Sequence, residues 1–118
     1  MSTLSKYPNN YDPTDYDWDQ AWVYGGDTRR AHPTSTVSLA PLGPDDVDVV
    51  LSADEGENDG PEWLLYGVAK DGRYFFLSAG CDYTGWDCQA GGTMTVAHTA
   101  QEMLTFGMTD SDRSRLGV

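Results

Sequence analysis

Basic side chains are scarce in this chain: seven lysines and arginines stand against 19 aspartates and glutamates, for a formal net charge of -12 over 118 residues. None lies between Asp45 and Glu62, a stretch holding eight carboxylates. That balance works against gripping nucleic acid phosphates or anionic lipid headgroups, which repel an acidic surface. Long apolar runs are missing too. No stretch approaches the roughly 20 apolar residues needed to cross a bilayer, and Met1 to Asn10 holds no signal-peptide core. These absences predict a soluble, cytosolic protein whose direct partners are basic or metal-bearing, with no direct contact to nucleic acid or membrane.

The usual signatures of catalysis are equally sparse. No Gly-x-Ser-x-Gly elbow occurs, and neither His32 nor His98 sits beside an obvious nucleophile. Gly25-Gly26 and Gly91-Gly92 lack the lysine and spacing of a phosphate-cradling loop. Cys81 and Cys88 are separated by six residues, wider than the two to four usual in zinc knuckles, and His98 alone follows to join them. Asp15-x-Asp17-x-Asp19 matches the opening of a calcium loop, but Gln20 stands where glycine belongs and no glutamate closes it. No catalytic, cofactor-binding or metal-ligating residue is therefore assigned. A small metal-binding or thiol module built on Cys81, Cys88 and His98 remains an alternative. In a reducing cytosol the two cysteines are expected as free thiols; a disulfide would close a small ring contributing roughly 2–3 kcal/mol.

What the chain does contain is aromatic mass: Trp18, Trp22, Trp63, Trp86 and seven tyrosines, each able to remove a large apolar area from water. Glycine, aspartate and threonine with few leucines favour strands and turns. Residues 1–17 read as an extended N-terminal arm and 18–118 as a single α+β domain, since this length supports one core. Trp18 to Tyr24 reads as a strand, as do the alternating Thr34 to Leu39 and Val47 to Leu51. Trp63 to Ala69 and Tyr74 to Ser78 flank Asp71-Gly72, a dipeptide that signals a hairpin with a type I′ turn. Both strands are apolar on both faces, which puts this hairpin (62–79) at the sheet centre. A further strand is predicted at Thr93 to Ala97. Thr99-Ala100-Gln101-Glu102 then matches a capping box, with Glu102 reaching back to the cap, and Thr109 to Asp112 offers a second helix start. The expected architecture is α+β: an antiparallel sheet of about five strands with short C-terminal helices.

The loop Gly80 to Gly92 is the most distinctive segment. Tyr83 and Trp86 on a glycine-rich loop are the large rigid rings an interaction hot spot uses; a plainer reading folds them back over the end of the sheet. The run Gly80-Cys81-Asp82-Tyr83-Thr84-Gly85-Trp86-Asp87-Cys88, with the stretch Thr105 to Asp110, resembles uncharacterised small proteins of actinobacterial phages and prophages. The similarity covers roughly residues 63–116. It implies a viral or mobile-element context and carries no known activity.

Two functional readings follow. In the first, carboxylates along a loop and strand edge imitate the phosphate ladder of DNA and dock on a basic host protein, such as a restriction, CRISPR or transcription component. Asp45, Asp46, Asp48, Asp54, Glu55, Glu57, Asp59 and Glu62 form the expected charged face, with Asp82, Tyr83, Trp86 and Asp87 as added contacts. In the second, a virion or assembly protein pairs its flat aromatic sheet with copies of itself. Acidity serving solubility alone is the plain counterpart to the first.

Overall fold

The computed structural model describes residues 7, 11–25, 27–57, 60–80 and 91–118. Asp59 and the loop bearing Cys81, Asp82, Tyr83, Trp86, Asp87 and Cys88 lie outside the described residues.

The first element corrects the sequence reading. Trp18 to Tyr24 is not a strand but most of helix α1, Tyr16–Tyr24. Asp15 caps it, its carboxylate accepting from the Asp17 amide at 2.8 Å. Trp18, Ala21 and Trp22, spaced as one helical face, are buried. Asp17 and Asp19 fall in the first turn, where negative charge complements the helix dipole. The Asp15–Asp19 triplet is thus a helix start. The boundary at residue 17 falls inside α1, and Tyr11 is 3% exposed, so this part of the lead-in belongs to the core.

Strand β1 is Thr28–Arg30, followed by a non-strand segment to residue 43. The strand expected at Thr34 to Leu39 is absent because that backbone bonds elsewhere. Ser35 and Ser38 hydroxyls accept from the amides of Val37 and Ala40, and arginine side chains take the carbonyls of Val37, Ser38 and Ala40. A 3-10 turn at Pro44–Asp46 leads into β2, Val47–Asp54, then β3, Trp63–Ala69, β4, Tyr74–Gly80, and β5, Gly91–Ala97.

These five strands form one sheet in the order β1-β5-β4-β3-β2, with the β3–β4 hairpin inside it as expected. The sheet is mixed, not wholly antiparallel: β1 runs parallel to β5. A parallel neighbour needs a crossover, which the long intervening chain supplies. The hairpin turn also differs from expectation. Ala69 and Arg73 are bonded across it (2.8 Å), and the Gly72 amide donates to the Ala69 carbonyl at 2.9 Å. That pattern is a three-residue loop with Gly72 at φ 93°, the position where a left-handed residue is needed.

Alternation along the strands gives the sheet two apolar faces. Trp63, Leu65, Phe75, Leu77, Met94 and Val96 face α1 in one buried cluster. Within it, Trp18 stacks edge-on against Tyr11 (5.0 Å) and Trp63 (5.3 Å). Leu64, Tyr66 and Phe76 point the other way, against Met103, Met108 and Leu116 of the C-terminal segment. That segment comprises α2, Ala100–Glu102, running into a π turn at Met103–Gly107, and α3, Asp110–Leu116. The result is three layers, helix, sheet and helices. Among the described residues no helix is long and apolar enough to cross a membrane.

Gly67 lets the layers close. It pairs with Phe75 across the hairpin, and the Phe75 ring covers it. A Cβ there would lie 2.4 Å from the Val49 carbonyl oxygen and 2.9 Å from the Phe75 ring.

Candidate interaction surface

The acidic residues cluster around β2, an edge strand with only β3 as neighbour. Its two register shifts, between Val47 and Val49 and between Val50 and Ser52, interrupt the ladder. Val47, Val50 and Ala53 are buried. Asp48, Val49 and Leu51 are exposed.

The expected charged face is divided rather than continuous. One pole holds Asp45, Asp46 and Asp48 around the start of β2; the other holds Asp54, its last residue, with Glu55, Glu57 and Glu62 beyond. Five strand residues, Val49 to Ala53, lie between Asp48 and Asp54, about 20 Å along an extended strand. The sequence packs these acids within 18 positions, but an extended strand through the middle of the run pulls them apart.

Three of these side chains have partners in the fold. Asp46 accepts from the Gly43 amide at 2.7 Å, fixing the turn before β2. Asp54 pairs with Arg115 Nε at 2.7 Å, joining β2 to α3 beside the Ser52 hydroxyl bond to the Leu116 carbonyl. Glu62 accepts from the Ser78 hydroxyl at 3.0 Å. Asp45, Asp48, Glu55 and Glu57 are exposed, and no ion pair engages them among the described residues.

The cations explain why. All five arginines bind internally. Arg29 donates to Thr95 Oγ1 (3.1 Å) and Arg30 to the Val37 carbonyl (2.9 Å). Arg113 pairs with Asp110 and holds the carbonyls of Leu104 and Met108. Arg73, buried at 7% exposure, bonds Asp71 and the carbonyls of Ser38 and Ala40. Burial works to raise the Asp71 carboxyl, but the hydrogen bonds and charge of Arg73 outweigh it and hold the pKa below the usual value of 3.8. Of the candidate acids, Asp54 alone has a cationic partner among the described residues.

Each histidine meets a threonine hydroxyl among the described residues. His98 Nε2 meets Thr36 Oγ1 at 3.2 Å; His32 Nδ1 meets Thr34 Oγ1 at 2.8 Å and stacks edge-on with Phe106 at 4.4 Å. α1 packs on one face of the aromatic sheet and the C-terminal segment on the other.

No protein-family model matches the chain, and comparison with curated proteins and with solved structures yields no match.

Sequence reasoning missed the arginine contacts entirely. Arg73 follows Asp71-Gly72 at the hairpin turn, and nothing in the local sequence marks it as buried. Its inward course depends on carbonyls more than 30 positions away. The α1 cap at Asp15 was missed as well, although an aspartate ahead of apolar residues at helical spacing is the signal that could have found it.

Proposed function

We propose that this protein is an acidic protein–protein interaction module that docks its β2 edge on a basic surface of a partner. The observation supporting this is the asymmetry of the charges. The arginines bond to groups of this same chain, while Asp45, Asp48, Glu55 and Glu57 are exposed and make no ion pair among the described residues. Carboxylates so placed repel one another, and a lysine- and arginine-rich surface relieves that repulsion while speeding encounter. Two acidic poles flanking exposed Val49 and Leu51 suit a partner with basic patches on either side of an apolar strip. In the phage or mobile-element setting implied by the sequence resemblance, the partner is a nucleic-acid-handling or defence protein of the host, met in the cytosol. The protein then acts as an inhibitor that occupies a DNA-binding surface, without catalysis or cofactor.

Self-assembly is the weaker reading. A second copy pairing along β2 would set acidic pole against acidic pole in either orientation, and like charges across strands are destabilising.

Capture from a host lysate, graded by ionic strength, tests the proposal. A basic protein retained at low salt and released as salt rises supports docking by charge. Retention that is indifferent to salt contradicts it.

A further inference from the structure

Glu102 departs from the capping box its sequence predicts. Thr99 Oγ1 accepts from the Glu102 amide at 3.1 Å, as a cap should. The reciprocal bond, from the Thr99 amide to the Glu102 carboxylate, is not formed. Instead Glu102 Oε2 is buried with no hydrogen-bond partner. Glu102 as a whole is half-buried, so one of its two carboxylate oxygens is withdrawn from water without a donor, a placement that costs free energy and calls for a physical reason.

The surroundings supply one. Glu102 lines a cavity of about 450 Å³ with His32, Thr34, Thr99, Gln101 and Phe106, and among the described residues neither lysine nor arginine lines it. The volume is in the range of small-ligand sites. Phe106 stands at the cavity 54% exposed, its ring braced by edge-on contact with His32. Hydroxyls and a primary amide complete the lining. An uncompensated carboxylate, an available aromatic ring and hydrogen-bonding side chains are the elements that recognise an organic cation.

We infer that this cavity binds a guanidinium or ammonium group on a short alkyl stem, with Glu102 as counter-ion and Phe106 as the ring beside the charge. The cavity lies by the chain leaving β1 and by α2, at the sheet edge opposite β2. The inference therefore stands apart from the docking proposal and survives its failure.

The shared chemistry has two sources: a free small molecule, or an arginine side chain from another protein. Amide NMR titration of the full chain with butylguanidinium, and separately with an acetylated, amidated Ala-Arg-Ala peptide, tests the site and tells them apart. Saturable shifts at Thr99, Glu102 and Phe106 are expected with butylguanidinium. Glu102→Gln, which keeps the shape and removes the charge, should weaken that binding about tenfold or more. Phe106→Ala, at an exposed ring, should weaken it several-fold. Peptide binding as tight as that of butylguanidinium identifies the ligand as a protein side chain; exclusion of the peptide identifies a free small molecule. The inference is overturned if butylguanidinium gives no saturable shift, if butanol produces the same shifts, or if Glu102→Gln binds like the wild type. Unliganded Glu102→Gln should also melt at or above the wild-type temperature. A clear drop would make Glu102 a structural residue and overturn its assignment as a counter-ion.

Discussion

Replacing Arg73 with methionine keeps the length of an apolar stem and removes the guanidinium. In the wild type that group holds three acceptors at once: Asp71 at 2.8 Å, the Ser38 carbonyl at 2.8 Å and the Ala40 carbonyl at 2.9 Å. Its bonds join the hairpin turn to the segment that crosses from β1 to β2. Asp71 is half exposed, so losing that pair costs only about 0.5–1 kcal/mol. The two carbonyl bonds are charge-assisted and made by a buried donor, each worth about 1.5 kcal/mol before the carbonyls rehydrate. The sum is about 2–4 kcal/mol, a large part of the 5–15 kcal/mol typical of a domain. Urea unfolding followed by fluorescence of the buried Trp18, Trp22 and Trp63 would measure it, and thermal unfolding should shift down by about 10 °C. Arg73→Lys should recover little, because one ammonium cannot span the three acceptors. A loss below about 1 kcal/mol, or full recovery by lysine, would refute the clamp. The pair also has a pH signature. Because the folded Asp71 pKa lies below its unfolded value, its contribution is present above about pH 3.8 and is lost as pH falls through the folded pKa. Asp71→Asn should remove that share of the acid limb.

Three further outcomes are expected. Asp54→Asn should destabilise by about 0.5–1 kcal/mol through loss of the Arg115 pair, whereas Glu55→Gln with Glu57→Gln should leave stability unchanged or raise it; chemical denaturation that ranks them the other way would contradict the charge assignments. Tyr11 is buried, which pushes its pKa from 10.0 up to about 12 despite a hydrogen bond from Trp22 Nε1. An acid raised in the fold stabilises fully below pH 10 and loses that contribution as pH climbs toward 12, so Tyr11→Phe should flatten stability in that window. Gly67→Ala should cost about 1–3 kcal/mol, since its Cβ would press on the Val49 carbonyl and the Phe75 ring. A stable Gly67→Ala protein would mean the β2–β3 approach is looser than described.

The hairpin, β2, β5 and both C-terminal helix starts were legible because their signals are local: alternation, an Asp-Gly pair, threonine caps. α1 was misread because seven apolar-rich residues suit a strand or a helix face equally, and the deciding residue, Asp15, lies outside the run. Thr34 to Leu39 alternates like a strand, yet side chains of Arg30 and Arg73 claim its carbonyls. The acidic run was legible as composition. Its division into two poles was not, since that follows from β2 extending between them.

The central claim is that the unpaired acids flanking β2 face a partner. The most direct measurement compares wild type with the Asp45→Asn, Asp48→Asn, Glu55→Gln, Glu57→Gln variant as paired baits in one lysate, after equal folding is established by circular dichroism. The account predicts a basic protein bound by the wild type and lost from the variant. The same proteins bound equally by both baits would contradict it.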